Sequence, residues 1–352
     1  MNKLEVQPSE QPESSNASLP ANDGYLLDSE RIGNFEWWYF DCLDTQNNCM
    51  LKIVVHLGTD PLRKRFFPTL ALSIKTPETT RAIERKYDLT DFHAEKNWCD
   101  LRLKQDCHIY TDKNNSGDYY IDIKISQFRA SLICRRSVPV WIPPTHKITA
   151  KKGHRHSELY WNVLQPRSIV DGCFEYKNIS YTLQNAIGYH DHNYWQLNSV
   201  PGLFMDEVIT RWVWGKCVAG PYTIIFTDTW MSGVGLKSIM ISEHDKIVFS
   251  ADENLTITIN KEILCEPLKS KYPSQITIQT NNEDFPLELL FNCEELIESK
   301  DLLSGVNPLI AWLIKSFIAK PAYYGIWSTA VLETPDQKLE GFGNYELMLF
   351  RK

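Results

Sequence analysis

Apolar and polar positions alternate along much of this chain. Between Tyr119 and Ser126, the residues Tyr119, Ile121, Ile123 and Ile125 fall on one side and Tyr120, Asp122, Lys124 and Ser126 on the other. Such spacing predicts an antiparallel strand with one face in a core and one in water. Met50–Leu57 and Thr69–Thr76 are β-branched, apolar runs of strand length. The second half continues with Tyr222–Trp230, Lys237–Ser242, Leu255–Ile259, Gln275–Thr280, Leu287–Phe291, Gly325–Leu332 and Tyr345–Phe350. Turn clusters such as Asp112-Lys113-Asn114-Asn115-Ser116-Gly117 separate these runs. Many short strands divided by turns predict a mainly β chain built as sandwiches or barrels. One segment departs from this. Asn307-Pro308 is a cap and first-turn signal, Leu309, Ile310, Leu313 and Phe317 follow at helical spacing, and Lys320-Pro321 closes the run. It predicts a short helix packed on a sheet, with a lid or a surface for an apolar ligand or peripheral membrane contact near Trp312 as the alternative.

A chain of 352 residues suits two domains better than one core. An internal echo supports that division. Glu36-Trp37-Trp38-Tyr39-Phe40-Asp41-Cys42 resembles Arg211-Trp212-Val213-Trp214-Gly215-Lys216-Cys217, and each precedes a turn and an apolar strand. Leu159-Tyr160-Trp161-Asn162 pairs more weakly with Gly325-Ile326-Trp327-Ser328, and Gly188-Tyr189-His190 with Gly341-Phe342-Gly343. The expected layout is a disordered tail over residues 1–24, where Ser, Pro, Glu, Gln and Asn dominate, then domains over 25–196 and 197–352. Net charge is −7 with scattered cations, which leaves no footprint for nucleic acid. The nine cysteines are odd in number, evenly spread and without paired spacing, so reduced thiols in a cytoplasmic chain are expected. No signal peptide and no bilayer-spanning apolar run is read. Eleven Trp and sixteen Tyr are enough to line an apolar pocket.

The densest chemistry lies in Gly188-Tyr189-His190-Asp191-His192-Asn193-Tyr194-Trp195. On a strand, His190 and His192 point to one face and Asp191 to the other. Imidazole is the usual proton carrier near neutral pH, so the histidines are candidate catalytic groups and Asp191 a candidate orienting group. The His-x-His spacing could also hold a metal, but no third ligand stands nearby, although His154 and His156 repeat the spacing. The reading is therefore metal-free and cofactor-free. Asp228 sits in the apolar run Ile224–Trp230, where desolvation favours a neutral, proton-donating carboxyl; a strand-end turn residue is the plainer reading. No phosphate loop, nucleophile elbow or dinucleotide fingerprint is present.

Glu36-Trp37-Trp38-Tyr39-Phe40, Gly188-Tyr189-His190-Asp191-His192-Asn193 and Trp212-x-Trp214-Gly215 together resemble the AttH/CrtC superfamily, which includes carotenoid 1,2-hydratase and fungal decalin-forming Diels–Alderases. The resemblance runs from about residue 30 to 350. It implies two tandem lipocalin-like antiparallel β-barrels around an apolar cavity. It also implies roles for His192, Tyr194 and Asp228 in a hydratase. The chain departs from the family pattern in reading Asn193-Tyr194-Trp195 after the histidine and Phe226 two residues before the aspartate.

Taken together, these readings give a cofactor-free enzyme acting on a hydrophobic, unsaturated isoprenoid or polyene. His192, His190, Asp191 and Asp228 would handle protons. Tyr194, Trp195, Trp212, Trp214 and Phe226 would wall the substrate and face a developing cation. Hydration and cyclisation share alkene protonation as the first step. A pericyclic ring closure would need mainly shape and a few hydrogen bonds. A non-catalytic lipid-binding protein is the alternative from another class, since fold does not fix function.

Overall fold

The computed structural model describes residues 4–8, 23–28, 30–60, 65–112, 117–283, 285–304 and 320–350. It is mostly strand with almost no helix among the described residues, arranged as two curled antiparallel sheets, as expected for tandem lipocalin-like half-barrels. In chain order the first strands are β1 (Glu5–Pro8), β2 (Phe35–Asp44), β3 (Cys49–Asp60), β4 (Arg65–Lys75), β5 (Thr80–Lys86), β6 (Phe92–Ala94), β7 (Asp100–Leu103), β8 (Cys107–Thr111), β9 (Tyr119–Ile125), β10 (Phe128–Arg136), β11 (Lys147–Lys152), β12 (Arg155–Tyr176) and β13 (Ile179–Leu197). A one-turn helix α1 (Met205–Val208) precedes β14 (Ile209–Ala219), β15 (Tyr222–Met231), β16 (Val234–Glu243), β17 (Lys246–Ala251), β18 (Leu255–Cys265), β19 (Ser270–Thr280), β20 (Leu287–Asp301), β21 (Ala322–Glu333) and β22 (Lys338–Leu349). The helix expected after Asn307 lies outside the described residues, as does any membrane contact it would make. No helix among the described residues is long and apolar enough to cross a membrane.

The chain forms two compact units. The first comprises Glu10–Ile142 and Ser157–Gly202; the second comprises Met1–Ser9, Pro143–His156 and Leu203–Lys352. In the first, strands run in the order β5-β4-β3-β2-β13-β12-β10-β9-β8-β7-β6; in the second, β17-β16-β15-β14-β22-β21-β20-β19-β18. The echoing segments occupy equivalent places. The two Trp-rich runs lie on β2 and β14, each paired with the last strand of its unit. Two pieces of the span read as a tail are held in place. Glu5–Pro8 pairs with Ile148–Lys151, and Asp23 is buried. The second unit also gathers residues 143–156 from mid-chain. Strand pairing joins positions more than a hundred residues apart, so no local composition signals it.

Burial follows the pleat. Along β9, Tyr119, Ile121, Ile123 and Ile125 are buried in the core of the first unit with Trp38, Phe40, Val55, Leu72, Phe128 and Phe174. The core of the second unit gathers Val213, Cys217, Ile224, Phe226, Ile239, Phe291, Tyr324 and Tyr345. All nine cysteines are free thiols.

Candidate active site

β2 and β13 lie side by side, with Phe40 opposite His190, Trp38 opposite His192 and Glu36 opposite Tyr194. Facing residues share a side of the sheet. Glu36, Trp38, Phe40, His190, His192 and Tyr194 therefore project toward the core of the first unit, where Trp38, Phe40 and Tyr194 pack. Tyr39, Asp41, Tyr189, Asp191, Asn193 and Trp195 project the other way. Gly188 opens the histidine run for a steric reason. A Cβ there would overlap the Ser168 hydroxyl and the Val170 side chain on β12.

The histidine face carries a closed network of acids and bases. Both imidazoles are fully buried. His190 stacks on Phe40 with centroids 3.8 Å apart, and His192 on Trp38 at 4.6 Å. His190 Nδ1 lies 2.9 Å from the Tyr39 carbonyl oxygen. A carbonyl only accepts, so Nδ1 carries a hydrogen. Its Nε2 then faces the Asp23 carboxylate at 3.2 Å. His192 meets a carboxylate at each nitrogen: Glu36 Oε1 2.8 Å from Nε2, and Asp23 Oδ1 3.4 Å from Nδ1. The Tyr119 hydroxyl donates to Asp23 Oδ2 at 2.5 Å. Glu36 also accepts from the Leu26 and Leu27 amides at 2.8 and 3.2 Å.

The surroundings set the protonation of the phenols. Burial, and next the Asp23 charge, push the Tyr119 hydroxyl well above its ordinary range, so it stays a donor. The Tyr25 phenol is raised to about 12 by burial and by Glu36. The Cys99 thiol is likewise held protonated by burial and then by Asp23. Toward solvent the network gives way to Tyr194, half-buried, stacked on Tyr160 at 4.3 Å and 6.3 Å from His192. Tyr160 donates to Glu158 at 2.9 Å.

Asp191 belongs to a different network. It accepts from Trp161 Nε1 at 2.9 Å, the Tyr189 hydroxyl at 2.8 Å and Asn193 Nδ2 at 2.8 Å. It orients these three groups and has the sheet between it and the histidines. Trp195 lies on the same face as Asp191 and is fully buried.

Asp228 belongs to the second unit. There it pairs with Arg211 at 2.7 Å and accepts from Trp230 Nε1 at 3.1 Å. The guanidinium sits 5.4 Å from the Trp230 ring. Asp228 is thus half of an ion pair rather than a lone carboxyl among apolar side chains. Phe226 faces the core of its own unit and packs on Phe291 at 5.5 Å. Trp212 and Trp214 use their indole N–H groups on Thr227 at 3.1 Å and Glu346 at 3.0 Å. Of the residues singled out from sequence, the fold brings His190, His192 and Tyr194 together. It puts Asp191 and Trp195 behind them and Asp228, Trp212, Trp214 and Phe226 in the other unit.

Four members of the network were not singled out for chemistry. Glu36 and Trp38 lie in the motif opening β2, and their register with the histidines was hidden. Tyr119 reads as a core residue of β9. Asp23 falls at the end of the span read as a tail, with Gly24 after it as the only local signal of a turn. Among the described residues, no group of three or more His, Cys, Asp or Glu is arranged to hold a metal ion.

No protein-family model matches the chain, and no curated protein matches it by sequence. Solved structures do match. A putative AttH from Nitrosomonas europaea superposes with a TM-score of 0.65 at 12% identity, over 98% of this chain and 100% of that one. CghA with Sch210972 gives 0.62 at 10% identity, covering 98% of both chains. Kievitone hydratase from Nectria haematococca gives 0.60 at 11%, covering 97% of both. At such identities the likeness is one of fold.

Proposed function

We propose that this chain, which has the tandem lipocalin-like fold of the AttH/CrtC superfamily, is a cofactor-free enzyme that protonates an apolar, unsaturated substrate. Water or an internal carbon then captures the cation, giving hydration or ring closure. One observation carries the reading. Two buried histidines share two buried carboxylates, and both imidazoles stack on aromatic rings.

Counting charge shows why this matters. Two carboxylates and two neutral imidazoles would leave two negative charges in a buried site, and a buried net charge costs several kcal/mol. Two bound protons cancel it, one in the His190–Asp23 contact and one on His192. The network therefore holds protons against indole and phenyl faces, the setting in which a carbocation is tolerated. In the proposed step a proton of His192 moves to an alkene carbon. The C=C electron pair forms the new C–H bond, and the neighbouring carbon becomes cationic. Attack by water, with return of its proton to the imidazole, adds one H2O overall. Attack by a second alkene closes a ring and moves the cation to a new carbon, whose neighbouring C–H then gives its proton back to the imidazole and its electron pair to a new C=C. That a solved neighbour is named a hydratase agrees with this chemistry.

Incubation in D2O tests the proposal, with squalene and lycopene as isoprenoid and polyene probes. Alkene protonation leaves deuterium on carbon in the product, read by mass spectrometry, and His192→Ala retains binding while losing turnover. A product formed without carbon-bound deuterium would point to pericyclic closure. Tight binding of the probes with no turnover in the unaltered protein would point to a carrier.

A further inference from the structure

Asp23 reaches the histidines from an unusual place. It does not sit on a strand. It opens the segment Asp23–Asp28, which pairs with no strand of either sheet. Its partners do sit on strands: Tyr119 on β9, Trp38 on β2, His190 and His192 on β13. Tyr119 Oη, His190 Nε2 and His192 Nδ1 converge on its carboxylate, and Trp38 Nε1 donates to its backbone carbonyl at 3.2 Å. Behind Asp23 the same segment inserts two apolar side chains. Tyr25 meets Phe92 edge-on at 6.2 Å, and Leu27 is buried in the core of the first unit. Gly24, between Asp23 and Tyr25, lies so close to Lys96 that a Cβ would overlap that residue's carbonyl. The segment thus presents a carboxylate followed by an apolar tail to a receptor of fixed donors and aromatic walls.

The geometry points to a carboxylate-binding site for an amphiphilic acid, which Asp23 and its segment fill in the resting state. An unsaturated acid with its head between Tyr119, His190 and His192 would replace Asp23 charge for charge. Its hydrocarbon would take the space that Tyr25 and Leu27 leave. The electrical balance of the histidine–carboxylate network is then the same with the segment seated or with ligand bound, whereas an alcohol or hydrocarbon of equal length would leave one positive charge uncancelled. This rests on the proposed function only for the reading of the site as the substrate site. The test reads binding alone, so a failure in turnover and a failure here are separate results.

The experiment compares dodecanoate with 1-dodecanol on the full chain by titration calorimetry. Two variants unseat the segment by independent routes: Asp23→Ala removes the competing carboxylate, and Gly24→Ala drives the segment off Lys96. In both, dodecanoate is expected to bind at least tenfold tighter than to the unaltered chain and at least tenfold tighter than dodecanol. Adding His190→Gln to Asp23→Ala should abolish the preference for the acid. Equal affinity for acid and alcohol in both variants would overturn the assignment, as would a failure of both to gain affinity for the acid.

Discussion

The contact between Glu36 and His192 allows a stability test. Both side chains are fully buried, and His192 Nε2 lies 2.8 Å from Glu36 Oε1. Glu36 also accepts the Leu26 and Leu27 amides. Gln at this position keeps the volume but offers one acceptor oxygen and turns an NH2 group toward a donor. At least one of these three donors, of which the Leu27 amide and the His192 ring are buried and the Leu26 amide is part-buried, then loses its partner, at about 1–3 kcal/mol. The imidazolium loses a counter-charge, and breaking a buried pair costs about 3–5 kcal/mol. These two estimates overlap, because the same hydrogen bond enters both. Glu36→Gln should therefore cost about 3–5 kcal/mol in all. His192→Gln should cost a similar amount by stranding Glu36. The double variant leaves two neutral amides that can bond each other, so its cost should fall short of the sum by about 2 kcal/mol, within the range for residues in one network. Urea unfolding read by tryptophan fluorescence measures all three, provided the slope against urea is unchanged. Additivity within about 0.5 kcal/mol would refute the reasoning, since that is the behaviour of independent sites.

Two further outcomes follow. Burial holds the Cys99, Cys107 and Cys217 thiols and the Tyr119 and Tyr189 phenols protonated in the fold, raising each above its ordinary value. The unfolded chain then binds fewer protons at alkaline pH, so this stability is full below the ordinary thiol value of 9.0 and falls as pH rises above it. Each group contributes a slope of up to about 1.4 kcal/mol per pH unit, and melting temperatures recorded between pH 7 and pH 11 should decline accordingly. Arg211→Ala would leave Asp228, only 3% exposed, without its cation. It should destabilise the protein by about 3–5 kcal/mol in thermal unfolding, and adding Asp228→Asn should recover a large part of that loss.

What the sequence disclosed depended on whether the cause of a feature was local. The alternation of Tyr119–Ile125 was legible because one face of β9 is buried and the other is wet. The centre of β12 was less so, since Trp161 to Gln165 is buried on both faces and the alternation vanishes. The histidine pair could be read because two imidazoles stand two residues apart. Their counter-charges could not, for Asp23 contacts His190 across 167 positions and Glu36 contacts His192 across 156. Asp228 shows the same limit. Its apolar strand was visible, and Arg211, which arrives through pairing of β14 with β15, was not. Composition misled at Asp23, because an average over a polar stretch conceals one side chain that tertiary contacts bury.

The His-Asp-His triplet records a strand whose two faces do different work. In a half-wet strand, neighbours of a buried residue can take any polar identity. β13 is buried on both faces from Tyr189 to Asn193. Each polar side chain there needs its own partners, and the pleat keeps the two sets apart. On one face His190 and His192 draw on Asp23, Glu36 and Tyr119; on the other Asp191 draws on Trp161, Tyr189 and Asn193. In the second network Tyr189 and Asn193 lie on β13 itself and Trp161 on the neighbouring β12, so the Asp191 carboxylate ties β13 to β12 behind the imidazoles. Asp191 is on this account a positioning residue. Its carboxylate lies on the opposite face of the sheet from the imidazoles, so in the proposed reaction it acts on both through the backbone that they share.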